Sequence, residues 1–229
     1  MVGKKLVVSE VEVLLYYIRQ KQVYVPDSFD MRATCGSCHL NTFFCAQYKE
    51  FKNLISAGEK WEDSRVLQFL QGGLRHGIRC HDVDTIYMPI NQPNLHWYLA
   101  VVNLKDWSIH IIDSLFTARK KQERIDLVQP MAEMLPHALQ DVGFFESRPE
   151  LVEYKQRTFQ IVYEKKYPQQ DGSDCGMFMI KFIEFLMTKD LQIRDCVQAK
   201  MDRFRYNSCV QLFTHGCRKR AKIYQSDDE

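Results

Sequence analysis

Hydrophobic residues near the start of the chain recur at the spacing of an amphipathic helix. Ser9 and Glu12 have the three-residue separation of a capping box, a common signal for the start of a helix. The apolar positions that follow are one, three or four residues apart and share one helical face: Val11, Leu14, Leu15 and Ile18. The pattern predicts a first helix over residues 9–19 with one face against a core.

Later stretches of the chain also have helical periodicity. We predict helices over residues 40–55, 65–74, 125–139 and 177–187, and over most of the C-terminal region. The pair Gly72-Gly73 is expected to end the second of these, because adjacent glycines favour turns. Since all the strand-like runs lie further along the chain, the three N-terminal helices are expected to precede every strand.

Strand-like runs occupy the middle of the chain. Hydrophobic, β-branched and aromatic residues are enriched over residues 84–90, 97–103, 107–112 and 158–163. The second and third runs predict an antiparallel hairpin whose turn is centred on residues 104–105. This register places Ala100 opposite Ile109 and, at the open end, His96 across from Asp113. Helices around a small mixed sheet indicate the α+β fold class.

Composition supports one globular domain over residues 1–229, of which 218–229 are a charged tail. Hydrophobic residues make up 45% of the 229 positions and charged residues 26%. The net charge of +2 gives no reason to expect nucleic acid or a membrane surface as a partner. The N-terminus lacks the pattern of a signal peptide, and no apolar run has the length of a bilayer span. We therefore expect an intracellular protein.

Eight cysteines are expected to be free thiols, because a chain of this kind has no secretory signal. The segment from Cys35 to His39 has the spacing of a haem-attachment motif, and with Cys45 or the Cys80-His81 pair it could form a zinc site. Covalent haem attachment belongs to export compartments, which the sequence does not indicate, and the zinc ligand set lacks a second close cysteine pair, so we predict neither a metal nor a cofactor. The basic run at 218–222 is typical of a solvated helix end but also fits a nuclear address, which leaves nucleus or cytoplasm.

His96 and Asp113 are candidates for acid–base chemistry. A carboxylate can hold an imidazole by one ring nitrogen and leave the other nitrogen free as a general base. On this observation alone, a solvated pair at the rim of a hairpin is the more common interpretation. The chemistry therefore needs a third group.

Cys175 supplies that third group. A loop rich in turn residues over 167–176 leads into the apolar helix, so Cys175 lies at a helix N-terminus, where unpaired amides and the helix dipole favour a thiolate. Gly172 and Gly176 remove side-chain bulk on either side of it, as a groove for a polypeptide backbone requires. An amide from Gln169 or Gln170 could stabilise an oxyanion. The alternative is that Cys175 is only a small buried helix residue.

Together these segments resemble a known family. The motifs are Leu95-His96-Trp97-Tyr98-Leu99, Ile112-Asp113-Ser114, Pro168-Gln169-Gln170, Gly172-Ser173-Asp174-Cys175-Gly176, Asn41-Thr42-Phe43-Phe44 and Ile86-Tyr87-Met88-Pro89-Ile90-Asn91. Their content and order are similar to those of the ubiquitin-like-protein-specific proteases, the SUMO (sentrin) proteases. The resemblance covers about residues 9–213.

The resemblance implies a papain-like cysteine protease fold and a thiol mechanism. In that family pattern His96 deprotonates Cys175, Asp113 orients His96, and Gln169 helps form the oxyanion hole. Trp97 forms a wall over a narrow groove that admits two glycines. The implied partner is SUMO or another ubiquitin-like modifier, cleaved after Gly-Gly by a monomer that needs no cofactor.

The chain departs from this family in two places. Asp171 alone separates the glutamine pair from Gly172, so Gln170 can substitute for Gln169 in the oxyanion hole. Residues 1–10 contain no tryptophan, although the family carries a Trp-Leu segment there as the second wall of the groove. Two alternatives therefore stay open, a catalytically weak module that binds ubiquitin-like modifiers and a related thiol acyltransferase.

Overall fold

Five strands form one mixed sheet whose spatial order follows the chain order. The computed structural model describes residues 5–73, 77–93, 95–189 and 191–220. The strands are β1 (Ala33–Cys35), β2 (Thr85–Gln92), β3 (His96–Asn103), β4 (Ser108–Ile112) and β5 (Gln160–Tyr163). The central pairs β2–β3 and β3–β4 are antiparallel, while β1 and β5 join the two edges in parallel. The α+β class predicted from the sequence is confirmed.

Helices cover both faces of this sheet. They are α1 (Val8–Tyr24), α2 (His39–Ser56), α3 (Ser64–Gln71), α4 (Lys121–Asp141), α5 (Phe144–Ser147), α6 (Cys175–Met187) and α7 (Met201–Arg220). One core lies between the sheet and α2, α3 and α4, and a second lies between the sheet and α1 and α6. Alternate residues of β3 serve the two cores, with Tyr98 in the first and Leu99 in the second. Its N-terminal residue, His96, therefore lies at a sheet end covered from both sides.

The first helix begins one residue earlier than predicted and does not use the predicted cap. Its N-cap is Val7, whose backbone amide donates to the Glu10 carboxylate at 3.0 Å. Glu12 instead accepts hydrogen bonds from the hydroxyl of Ser37 and the amide of Cys38. The capping box predicted from Ser9 and Glu12 was therefore wrong, because tertiary contacts recruit the Glu12 carboxylate to the start of α2.

Strand β1 precedes α2 and α3, so the prediction that three helices come before every strand was wrong. The strand has only three residues, too few for a two-residue periodicity to be visible in the sequence. It exists because Ala33, Thr34 and Cys35 pair with the start of β2. The pairing brings the C-terminal end of α1 and the N-terminal end of α2 to the same edge of the sheet.

The β3–β4 hairpin differs from the predicted register by two residues. Ala100 lies opposite Ile111 and not opposite Ile109. The turn is longer than predicted because the side chain of Asn103 accepts hydrogen bonds from two turn amides, and Trp107 takes a left-handed conformation with φ 50°. A shift of two residues keeps each side chain on its predicted face, because the strand periodicity is two.

The remaining predicted elements are confirmed with modest changes of boundary. Helix α4 is longer than predicted and contains Pro130 and Pro136, and Gly72 ends α3 with φ 78°. Leu74 and the charged tail beyond Arg220 lie outside the described residues. Among the helices of the described part, none combines the length and apolar character that a membrane crossing requires.

Candidate active site

The three residues expected to carry the chemistry meet at one end of the sheet. His96 is the first residue of β3, Asp113 directly follows β4, and Cys175 is the first residue of α6. All three are buried, with exposed fractions of 5% for His96 and 1% each for Asp113 and Cys175. The hairpin and the apolar helix thus bring together a base, a carboxylate and a thiol from distant parts of the sequence.

Asp113 holds His96 through one ring nitrogen. The Nε2 atom of His96 lies 2.6 Å from Oδ1 of Asp113, and Nδ1 is left for the thiol of Cys175, with which His96 also forms a side-chain hydrogen bond. Burial opposes the charged imidazolium, but the hydrogen bonds to Asp113 and Cys175 raise the pKa of His96 above its ordinary value. His96 is therefore suited to accept and hold the proton of the thiol.

Cys175 is arranged to be a thiolate. Burial alone would raise the pKa of its thiol, but hydrogen bonds from His96 and from the backbone amides of Trp97 and Gly176 lower it below the ordinary value. The position at the N-terminus of α6 contributes the amides and the positive end of the helix dipole. A thiol beside an adjacent base is the arrangement that an activated nucleophile requires.

The loop before Cys175 is anchored from the C-terminal part of the chain. Asp174 accepts hydrogen bonds from Arg205 of α7 and, at 2.6 Å, from Nε2 of Gln198. The Oε1 atom of Gln198 in turn accepts from the amide of Asp171 at 2.9 Å. These contacts fix the turn that delivers Cys175 to His96.

The two glutamines of this loop have different surroundings. Gln169 is exposed, and its amide group donates to the carbonyl oxygens of Asp113 and Tyr167, at 3.1 and 3.0 Å. Gln170 is 8% exposed, accepts from the hydroxyl of Ser114 at 2.9 Å and donates to the carbonyl oxygen of Gly172 at 2.6 Å. Gln169 thus uses both amide hydrogens on the backbone, whereas Gln170 lies inside the turn that leads to Cys175.

Trp97 and the N-terminal segment line a cavity beside His96. The indole of Trp97 is 4% exposed, and its Nε1 donates to the carbonyl oxygen of Leu6 at 3.0 Å. The Lys5 ammonium donates to the carbonyl oxygen of Leu95 at 2.9 Å across the same opening. The cavity has a volume of about 250 Å³ and is lined by both segments and by residues at the end of β2.

The two glycines near Cys175 are required for different reasons. A Cβ atom on Gly176 would lie 3.1 Å from the Cβ of Leu6, so this glycine allows the N-terminal segment to pack onto the start of α6. Gly172 has open space around it but a φ of 102°, a conformation that side chains rarely adopt. The substrate-binding role of both glycines stays a prediction.

The motif from Cys35 to His39 does not converge with the other cysteines considered for a zinc site. The Cys35 thiol is buried and contacts Arg19 and the carbonyl oxygen of Leu15. Within the described part of the chain, Cys38, His39 and Glu12 place potential ligand atoms within 4.8 Å of one another. The hydrogen bonds of Glu12 at the start of α2 account for its position there. All eight cysteines are free thiols, as expected.

Comparison with known proteins decides the family. Residues 36–219 match the Ulp1 protease family, C-terminal catalytic domain. The chain belongs to this Ulp1 family. It is 27% identical over 184 residues to ubiquitin-like-specific protease 1A of Arabidopsis thaliana. The match covers 80% of this chain and 32% of that protein. It is 29% identical over 157 residues to ubiquitin-like-specific protease ESD4 of the same plant, covering 65% of this chain.

The chain spans about a third of the length of the Ulp1-family relatives it matches, with 26% of ESD4 covered. Solved structures share the fold at lower identity. A de-sumoylating protease superimposes with a TM-score of 0.54 at 16% identity over 97% of this chain and 87% of its own. The Ulp1 protease domain in complex with SMT3, the yeast orthologue of SUMO, superimposes with a TM-score of 0.50 at 17% identity. The match covers 89% of this chain and 75% of that chain.

Several residues around the site were not predicted from the sequence. Arg124 and Tyr163 both contact the carboxylate of Asp113, and Arg205 contacts Asp174. Charged residues on a helix are normally solvated, so periodicity gave no reason to place either arginine inside. The sequence offered one sign of a buried Arg124, its position three residues before the apolar pair Leu127-Val128. This spacing alone is too weak to separate a buried arginine from an exposed one.

Proposed function

We propose that this chain is a cysteine protease that cleaves after the Gly-Gly terminus of SUMO or another ubiquitin-like modifier. The observation that carries the proposal is a pair of hydrogen bonds, from Cys175 at the N-terminus of α6 to His96 and from His96 to Asp113. The family match supports the same chemistry, and its relatives are named ubiquitin-like-specific proteases. The alternative of an inert buried cysteine does not account for a thiol held by an imidazole.

In the proposed reaction the Cys175 thiolate attacks the carbonyl carbon of the C-terminal glycine. The S–C bond forms as the carbonyl π electrons move to oxygen, and the imidazolium of His96 then gives its proton to the departing amine as the C–N bond breaks. Water next adds to the thioester while His96 takes its proton, and the thiolate leaves. Asp113 stays ionised throughout and stabilises the imidazolium.

Gln170, rather than Gln169, is our candidate for the oxyanion donor. The family pattern and the spacing from Cys175 favour Gln169, but both hydrogens of its amide are used on backbone carbonyls. Gln170 is buried beside Ser114 within the turn that precedes Cys175. Because this loop is one residue shorter than the family pattern, the second glutamine of the pair lies five residues before Cys175 and not six. A backbone amide near Cys175 would supply the second donor.

The cavity beside His96 is the proposed entry for the two glycines. Trp97 forms one wall, and Lys5 and Leu6 occupy the side where the family carries a Trp-Leu segment. Such a lining still favours a narrow, side-chain-free substrate, because the carbonyl of Leu6 ties this segment to the Trp97 indole. The proposed partners are therefore a ubiquitin-like modifier and its conjugates.

The same proposal includes the organisation of the protein. The described residues surround a single sheet, which supports one catalytic domain over residues 1–229. We propose that this domain acts as a monomer. Free cysteines throughout the chain support an intracellular location, in the nucleus or the cytoplasm.

The decisive experiment is a reaction with modifiers that carry a thiol-reactive group at the C-terminal glycine. The panel contains SUMO paralogues, ubiquitin and other ubiquitin-like proteins, and adducts are resolved by intact mass. Wild type is compared with Cys175→Ala and with Cys217→Ala, which removes an exposed thiol near the end of α7. We expect an adduct with at least one modifier that Cys175→Ala loses and Cys217→Ala keeps.

The opposite outcomes are equally informative. A folded protein that forms no adduct but retains modifiers on a column would be a binding module. A protein that neither reacts with nor binds any modifier, yet transfers an acyl group from acetyl-CoA to a substrate, would be an acyltransferase. An adduct retained by Cys175→Ala would overturn the assignment of the nucleophile.

A further inference from the structure

The carboxylate of Asp113 has more partners than the orientation of His96 requires. Its Oδ1 atom accepts from His96 and, at 2.8 Å, from the amide of Leu115. Its Oδ2 atom accepts from Nε of Arg124 at 3.1 Å and from the hydroxyl of Tyr163 at 2.9 Å. Four donors, two on each oxygen, fix both the position and the rotation of this carboxylate.

We propose that Arg124 and Tyr163 are positioning residues that set the pH range in which the Cys175–His96 pair is active. The inference rests on the proposed function, because it concerns the same thiol. Neither residue touches the thiol or the imidazole through any hydrogen bond found in the described part of the chain. Both act through Asp113.

Arg124 is held rigidly in place. Its side chain is 4% exposed, Nη1 donates to Oε1 of Gln92 at the end of β2, and the guanidinium lies 5.2 Å from the ring centre of Tyr98. The Tyr98 hydroxyl donates to the carbonyl oxygen of Arg124 at 3.2 Å. The buried side chain cannot reorient to solvent without losing its contacts with Asp113, Gln92 and the ring of Tyr98.

Tyr163 closes the other side of the carboxylate. It ends β5 and is 8% exposed, with the ring of Phe116 packed against it at 5.5 Å. Burial and the negative charge of Asp113 raise the pKa of the Tyr163 hydroxyl, so it remains a donor across the working pH range. The hydroxyl therefore stabilises the ionised carboxylate of Asp113 as a neutral hydrogen-bond donor.

The electrostatic consequence follows from the sign of each charge. The guanidinium of Arg124 offsets part of the Asp113 charge that His96 feels. Without it, His96 would hold its proton to higher pH, and Cys175 would lose its proton only at higher pH. Arg124 thus shifts both limits of the thiolate–imidazolium state downward, and the Tyr163 hydrogen bond acts in the same direction more weakly.

Other titratable or charged groups face the same site from each packed element. They are Tyr98 of β3, Asp113 after β4, Glu123 of α4, Tyr163 of β5, Cys175 of α6, Asp174 with Arg205, and Lys5 of the N-terminal segment. The cations among them contact other partners, Lys5 the carbonyl oxygen of Leu95 and Arg205 the carboxylate of Asp174, whereas Arg124 contacts Asp113 directly. Its removal should therefore dominate any change in the pH profile.

The test measures the thiolate without a substrate. The absorbance of Cys175 at ultraviolet wavelengths, taken as the difference from Cys175→Ala, is titrated with pH in wild type, Arg124→Met, Arg124→Lys and Tyr163→Phe. The rise of thiolate absorbance marks the lower limit, because Cys175 stays a thiolate when His96 loses its proton. We expect Arg124→Met to move this lower limit upward by about half a unit to one unit. Arg124→Lys should keep the wild-type lower limit, and Tyr163→Phe should move it upward by less.

Activity provides a second readout. With a fluorogenic modifier conjugate that the wild type cleaves, turnover by Arg124→Lys should fall about 10- to 100-fold at an unchanged KM, because the single ammonium cannot fix the carboxylate as the guanidinium does. The thiolate titration stands even if no modifier is cleaved, so failure of the proposed substrate class is distinguishable from failure of this inference.

The inference is overturned if folded Arg124→Met has the wild-type lower limit and only a reduced signal, since that result is what a purely structural residue would give. If Arg124→Met does not fold, Tyr163→Phe decides, because a phenylalanine fills the same space. A lower limit that stays at the wild-type value in Tyr163→Phe would then reject the inference.

Discussion

His96 Nε2 lies 2.6 Å from Asp113 Oδ1 although the two residues are not cross-strand partners. The hairpin register pairs Leu99 with Ile112 and ends there, so Asp113 lies beyond the last pair and reaches back to the first residue of β3. The contact is diagonal, a separation that side chains of this length can span.

Substitution Asp113→Asn tests this contact. The amide keeps the shape but loses the charge that raises the pKa of His96, so the imidazolium loses its proton at lower pH and the alkaline limit of activity moves down. We expect kcat/KM to fall by about 10²- to 10⁴-fold. Activity within threefold of wild type, with an unchanged alkaline limit, would contradict the orienting role.

The pH dependence of the thiolate provides a second prediction. The pKa of Cys175 is lowered and that of His96 is raised, and both shifts favour the thiolate–imidazolium pair. Thiolate absorbance from Cys175 should therefore be present below about pH 8, where an ordinary thiol is protonated. In His96→Ala the same absorbance should appear only at alkaline pH. An identical titration in both proteins would show that the pair does not form.

The two glutamines can be separated by substitution. Gln170→Ala should lower turnover by about 10²- to 10³-fold if its amide stabilises the oxyanion. Gln169→Ala should lower turnover less than tenfold, because its amide binds the backbone near Asp113 and Phe116. The reverse order of effects, measured as kcat on one fluorogenic conjugate, would return the oxyanion role to Gln169.

Gly176→Ala should disturb the entrance to the site. The new methyl group would lie 3.1 Å from Leu6 Cβ, so residues 5–7 must move and the hydrogen bond from Trp97 to Leu6 should weaken. We expect about tenfold slower adduct formation and a change in tryptophan fluorescence. Gly216→Ala in α7 is the matched control, because nothing lies within 4 Å of the position that its new methyl group would take. Equal rates in the two variants would show that Leu6 does not shape the entrance.

Asp63 is expected to stabilise the protein in a pH-dependent way. It caps α3, and hydrogen bonds led by those from Arg65 lower its pKa to about 2. A carboxylate with a lowered folded-state pKa stabilises above its ordinary value near 4, and this contribution is lost as the pH falls through about 2.

Urea unfolding of wild type, Asp63→Asn and Asp63→Ala measures this contribution. At pH 7 Asp63→Ala should lose about 0.5–2 kcal/mol of unfolding free energy, because the cap is removed. Asp63→Asn keeps a cap, so its difference from wild type should shrink toward zero between pH 4 and pH 2. A difference that is constant with pH would show that the charge of Asp63 does not contribute.

The sequence by itself determined the local elements and pointed to the groups that we propose as reactive. Helical and strand periodicities located most helices and four strands, because each reflects which side of a segment meets the core. The turn-rich loop before an apolar helix pointed to Cys175. The predicted hairpin register was wrong by two residues, but a shift of two keeps each side chain on its face, so His96 and Asp113 still lie close together.

Only the tertiary structure decided the contacts that join distant segments. Strand β1 is too short to carry a pattern of its own. Glu12 does not form the predicted cap but accepts a hydrogen bond from the start of α2. The burial of Arg124 and the difference between Gln169 and Gln170 depend on which chain segments lie nearby. These outcomes are set by packing and electrostatics across long sequence separations, which local residue patterns do not encode.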